Sequence, residues 1–241
     1  GARFVDVRGA LEIGGLARVN VTNGFLNLPP NSKLSVDTLV VDGGTISNVT
    51  AIAATNQTVP SLTILNGGKI PNAQSFDLGT GGNAQWYPGD SLVFSNSLQG
   101  SGFIFADVTQ GQGGILIPGA VGVPGTLYIY SYIAPGNLTL NGGQLMFDLS
   151  GSAGGVNDNV QVASTLTLSG SNSVVVNSLD GGLDTTTPYT LFNYASLVGS
   201  VSDLHVTGPL SKSRYTFAFS SANPGTIQLS VAGAGAANLL W

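Results

Sequence analysis

Asp148 and Asp158 stand ten residues apart and Asp180 and Asp184 four apart, in a chain whose twelve acidic residues are mostly isolated. Two carboxyl groups flanking a glycosidic bond are what sugar hydrolysis requires. Parallel β-helix lyases and hydrolases gather such acids on one face, alone or with basic residues. No basic residue lies near either pair, so a polysaccharide-active enzyme is the least favoured reading. Calcium is a second use for the same oxygens. Asn157, Asp158 and Asn159 supply candidates, as does "LDGGLD" at Leu179–Asp184. Ca²⁺ takes six to eight oxygen ligands, and neither segment has EF-hand or nonapeptide-repeat spacing. Asp148, Asp158, Asp180 and Asp184 are therefore weak Ca²⁺ candidates beside the plainer reading that they serve turns. His205, the one histidine, sits in "SDLHVTG" without a GxSxG nucleophile elbow and reads as a polar residue on an edge strand. With one His and no Cys, zinc would have to rely on carboxylates.

Aromatic side chains offer binding rather than catalysis. "GTGGNAQWYPGDS" (Gly79–Ser91) carries Trp86 beside Tyr87, and such rings stack on the apolar faces of sugars or close a core. In "YIYSYIAP", strand alternation puts Tyr128, Tyr130 and Tyr132 on one face, as a partner surface or a half-buried ladder. Four N-x-S/T sequons, at Asn20, Asn48, Asn56 and Asn137, are near chance frequency for so Asn- and Thr-rich a chain.

The elements that must position these residues are strands. Helical signals are nearly absent, because Gly interrupts every candidate window and the charges that make i to i+4 pairs are missing. Short β-rich runs recur instead, from "ARVNV" and "TLVV" through "TLYIY" and "NVQV" to "TIQLSV", with "NG", "DGG", "NGG" and "PG" between them. "TLVVDGGTIS", "SLTILNGGKI" and "NLTLNGGQLM" share a strand, a Gly-Gly turn and a second strand. Repeated units with one turn are what stacked coils require, which favours a β-solenoid over a sandwich or barrel with hairpins. From Asp180 onward aromatics are denser and "ANPGT" reads as a hairpin turn.

Composition narrows the function. Of 241 residues 42% are hydrophobic, enough for a core, but only 8% are charged, against roughly 25% in an ordinary domain. A surface of amides and hydroxyls is typical of secreted and surface-displayed β proteins. The net charge is −5, and no Lys or Arg occurs from Ile70 to Ser211, which argues against nucleic-acid binding and against a groove for acidic polysaccharides. The absence of Cys excludes a disulfide framework and thiolate catalysis. No run of about 18 apolar residues suggests a membrane span. The start, "GARFVDVRGALEIGG", lacks the basic and apolar regions of a signal peptide, so we expect a mature product or a fragment of a longer protein.

In order, "LQGSGFIFADVTQGQGGILIPGAVGVPGTLYI", "GNLTLNGGQLMFDLSG", "NDNVQVASTLTLSGSNSVVV", "YTLFNYASLVGSVSDL" and "GTIQLSV" follow one another. This succession resembles the autotransporter-associated β-strand repeat proteins, large exported bacterial proteins, over roughly Leu92–Val231. The resemblance implies a right-handed parallel β-helix in a passenger or stalk region and brings no catalytic residues. Within these 241 residues no stretch resembles the family's transmembrane barrel or sorting tail, and "IYSYIAP" is inserted between the "GTL" strand and "GNLTL".

The expected fold is all-β: a right-handed parallel β-helix over 1–179, then terminal coils and antiparallel capping strands over 180–241. The expected role is a non-enzymatic stalk or fibre subunit at the bacterial surface or beyond, without a cofactor unless Ca²⁺ binds. Self-association or neighbouring segments of a longer protein are the expected partners, and a glycan- or cell-binding adhesin is the alternative.

Overall fold

The computed structural model describes residues 4–6, 12–54, 62–65, 70, 73, 75–86, 91–130, 135–212 and 214–233. Among them there is no α-helix, only short 3-10 turns at Val201–Asp203 and Pro209–Lys212, and no helix is long and apolar enough to cross a membrane. The strands join one largely parallel sheet, an arrangement consistent with a β-solenoid.

Parallel pairing carries one column of side chains through the whole stack. Leu34 pairs with Ile52, Ile52 with Phe76, Phe76 with Leu98, Leu98 with Leu116, Leu116 with Leu145, and Leu145 with Val174. All are buried. Two further columns complete the later coils. One runs Ile104, Ile129, Val162, and the other Leu92, Val108, Leu138, Leu166. Because side chains alternate along a strand, each run sends every second residue into this shared interior and the others outward.

Coils lengthen along the chain without disturbing the columns. Lys33 pairs with Ala51 and Ser97 with Ile115, whereas Gln144 pairs with Ser173 and Asn172 with Leu204. The added residues lie in connections such as 150–158 and 179–188, outside the paired strands.

The Gly-Gly turns explain their own composition. Gly43 and Gly142 have φ of 64° and 67°, the left-handed region that Gly enters freely. The glycine after each lies hard against the preceding coil. A Cβ on Gly44 would come within 2.6 Å of the Val21 carbonyl oxygen, and one on Gly143 within 2.4 Å of the Gln110 amide. The "NGG" at 66–68 lies outside the described residues.

Parallel stacking runs beyond residue 180. Tyr189–Val198 pairs in parallel with Asn159–Ser169, and Leu204–Thr207 with Asn172–Ser178. Antiparallel pairing joins Thr216–Ser220 to Thr226–Ala232 around the "ANPGT" turn, and Thr226–Ala232 to Tyr189–Val198. Gly225 takes φ 77° in that turn.

Two substitutions in one strand test the inside–outside assignment. Leu92 is buried and its neighbour Val93 is 51% exposed. Leu92→Ala is expected to lower unfolding free energy by about 2–5 kcal/mol and Val93→Thr to change it by less than about 0.5 kcal/mol in denaturant titrations. At the corners, Gly143→Ala is expected to cost at least about 2 kcal/mol by overpacking, whereas Gly154→Ala, whose nearest contact would be Ser152 Oγ at 4.0 Å, is tolerated, as thermal melting will show.

Candidate functional site

The connections after Gln144–Leu149 and Asn172–Ser178 carry the acidic residues singled out above. Two brackets of Asp148 and Asp158 meet, because the 150–158 loop returns the chain beside the end of its own strand. The Asp158 backbone N–H donates to the Asp148 carbonyl (2.9 Å), and the Asp148 N–H donates to Asp158 Oδ2 (2.7 Å). Each carboxylate also grips the preceding coil. Asp148 Oδ2 accepts from the Gly122 N–H (2.5 Å), and Asp158 Oδ1 from the Gly125 N–H (2.7 Å). Asn177 Nδ2, from the following coil, donates to Asp148 Oδ1 (2.9 Å).

Asp180 and Asp184 repeat this relation one coil further on. Asp180 Oδ2 accepts from the Gly151 N–H (2.9 Å), and Asp184 Oδ2 from the Ala153 N–H (3.3 Å). Asp184 Oδ1 takes the Thr186 hydroxyl and the backbone N–H groups of Thr186 and Thr187. Tyr189 ties the two loops together. Its hydroxyl donates to the Ser150 carbonyl (2.7 Å) and accepts from the Asp184 N–H (2.5 Å).

Electrostatics separates the acids. Asp158 is fully buried, and desolvation pushes its carboxyl up to about 7; its two backbone N–H bonds oppose that shift and the Asp148 charge adds to it. Asp184 is held well below the usual carboxylate range, first by the Thr186 hydroxyl and then by the Thr186, Thr187 and Ala153 N–H groups. Burial raises the Tyr189 hydroxyl.

This geometry makes the four candidate calcium ligands acceptors for N–H groups. Every carboxylate oxygen of Asp148 and Asp158 holds a hydrogen-bond donor. Among the described residues, no three His, Cys, Asp or Glu side chains converge as a metal-binding group. The acid pairs therefore splice each loop to the coil before it. His205 is exposed on Leu204–Thr207, paired with Ser173.

The aromatic candidates divide. Tyr128 and Tyr130 point outward, since Leu127 and Ile129 fill the interior. Trp86 ends Ser75–Trp86 with its backbone paired to Ile64, while Tyr87 and Tyr132 lie outside the described residues. Pairing of Ser97–Phe105 with Thr126–Tyr130 adds two rings absent from the sequence reading. Phe103 stacks on Tyr128 (4.5 Å, 16° between planes) and lies 5.8 Å from Phe105. The only sequence sign was that "GFIF" repeats the alternation of "TLYIY".

Buried amides also escaped the sequence reading. Gln110 is fully buried and its Nε2 donates to the Gly114 and Gln144 carbonyls (2.7 and 2.9 Å). Asn172, also buried, accepts from the Gly142 N–H and donates to the Ser169 carbonyl. Asp107 accepts from the Asn137 N–H and side-chain amide, and Asn137 Oδ1 accepts from the Thr165 N–H.

The raised Asp158 carboxyl has a stability consequence. Between the unfolded carboxyl near pH 4 and the folded one near 7, the native state holds a proton that the unfolded chain has released. This contribution is full below about pH 4, is lost as pH rises to about 7, and is flat above it. Asp158→Ala is expected to remove a fall on the order of 2–4 kcal/mol across that window, and carboxyl-carbon NMR should place the Asp158 midpoint near neutrality. Asp184 acts oppositely, adding stability that is present above the unfolded carboxyl value and lost in stronger acid.

No protein-family model matches the chain, and no curated protein matches its sequence.

Proposed function

We propose that this chain is a non-enzymatic structural segment of an exported bacterial protein, a stiff β-solenoid that acts as a stalk or as a fibre or matrix subunit. The observation that carries this reading is the unbroken interior column from Leu34 through Leu98 and Leu116 to Val174. A rod of this kind draws stiffness from backbone ladders and apolar packing and needs few charges, in keeping with 8% charged residues. The acids add to it by splicing loops between coils.

In this reading the coils wind right-handed, as in the autotransporter-associated β-strand repeat proteins that the sequence resembles. Residues 1–179 form the stack, and 180–241 hold the last coils and a cap. The antiparallel strands Thr216–Ser220 and Thr226–Ala232 would cover the final edge and block edge-to-edge growth. Self-association or adjoining segments of a longer protein supply the partners, and the outer surface of the cell is the site of display.

Antibody labelling of intact producing cells, with surface proteolysis, tests the location; small-angle scattering of the chain tests its form. Labelling without lysis and a rod-like scattering profile are expected. Signal only after lysis would overturn surface display, and release of reducing ends from polysaccharides by the purified chain would overturn the non-enzymatic role.

A further inference from the structure

Rungs of parallel strands stand about 4.8 Å apart, so side chains paired across them are forced into stacking range. The outward positions of Ser97–Phe105 and Thr126–Tyr130 use that spacing for rings, with Phe103 on Tyr128 at 4.5 Å. On the next two coils this column carries no ring. Tyr128 pairs with Gln161, and Gln161 with Asn193. Two residues further along the three strands stand Tyr130, Ala163 and Ala195. A shallow groove of about 310 Å³ lies there, lined by Tyr130, Gln161, Val162, Ala163, Asn193, Tyr194 and Ala195.

The groove has the parts of a sugar site. Tyr130 is 48% exposed and supplies a ring face. Gln161 is exposed and brings an amide with both donor and acceptor capacity. Asn193 Nδ2 donates to Asn159 Oδ1 (3.0 Å), which fixes the amide and turns its carbonyl oxygen away from that bond. Tyr194 is anchored by its hydroxyl on the Thr226 carbonyl (3.1 Å). None of these lining residues is charged, and no Lys or Arg occurs from Ile70 to Ser211. Its size falls at the small end of the roughly 300–1,000 Å³ range of small-ligand pockets.

We propose that this groove binds a pyranose ring of an uncharged glycan, stacked in the place where the next aromatic rung would stand. The ring lies over Ala163 and against Tyr130, with its hydroxyls on the amides of Gln161 and Asn193. This site is independent of the stalk reading, because neither location nor scattering depends on it.

Saturation-transfer NMR and titration calorimetry on the full chain test it, with glucose, galactose, mannose and their β-linked disaccharides as probes. Saturable binding of at least one neutral sugar is expected. Tyr130→Ala removes the stacking wall and Ala163→Phe fills the groove while continuing the column of rings, so the two variants change volume in opposite senses. Each is expected to weaken binding at least about tenfold, with Val93→Thr unchanged. A circular-dichroism spectrum and melting temperature like the wild type's qualify each variant, and Ala163→Phe serves if Tyr130→Ala unfolds. No saturable binding by any of these sugars, wild-type affinity in a folded Ala163→Phe, or equal binding of a sialylated or sulfated glycan would overturn the proposal.

Discussion

Parallel pairing in register is the constraint from which the rest of this molecule follows. Strands about 4.8 Å apart place like positions of successive coils in contact, so an interior residue is packed chiefly by its counterparts above and below. Leu98 rests between Phe76 and Leu116, and Leu138 between Val108 and Leu166. A slip of one residue would turn a whole column outward. The apolar interior therefore locks the register, and the register in turn sets which turns, amides and rings meet. Residues added between strands leave this untouched, which is why coils grow from the Lys33–Ala51 spacing to the Gln144–Ser173 spacing while the columns continue.

Scarcity of charge dictates how the corners are built. A carboxylate withdrawn from water needs a cation, N–H donors or a proton. No Lys or Arg lies between Ile70 and Ser211, so the acids there use the other two. Asp148, Asp107 and Asp184 take N–H donors. Asp158 takes two N–H bonds and is still pushed toward protonation by burial. Backbone N–H groups in the loops need acceptors of their own. Asp158 to Gly125, Asp180 to Gly151 and Asp184 to Ala153 meet both needs with one bond, and each such bond crosses from one coil to the one before.

Strands and turns were readable in the sequence because each has a local cause. Alternation in "TLYIY" and "NVQV" assigns the interior, and the paired glycines of "DGG" and "NGG" serve one left-handed residue and one close approach. The proximity of Asp148 and Asp158 was also readable, since a Gly-rich loop joins them. Their use was not, because the N–H groups they hold at Gly122 and Gly125 belong to another coil. Gln110 was hidden for the same reason: nothing near it in sequence says that it will lie inside, paired with Phe94 of the coil before and with its amide on the carbonyl of Gln144. "GFIF" is apolar at every position after its glycine, so alternation has no polar partner with which to mark Phe103 and Phe105 as outward. The division near residue 180 likewise falls where aromatics increase, whereas the pairing stays parallel through Thr207.

The rule that builds the interior also decides what the exterior can recognise. Inside, a column must be filled at every rung, because an empty position between two coils forfeits contacts on both sides. Outside, no such demand exists, so outward columns are free to change character from coil to coil. Phe103 and Tyr128 stack because neighbouring rungs both carry rings, while Gln161 and Asn193 continue the same column with amides. Where large outward side chains give way to alanines, a groove remains, lined by Tyr130, Ala163 and Ala195 among others. That groove is floored by a core too tightly packed to close over it, since Val160, Val162 and Phe192 beneath are held by the coils on either side. A filled ladder inside and a variable one outside thus let one repeated backbone present a different outward surface at each rung.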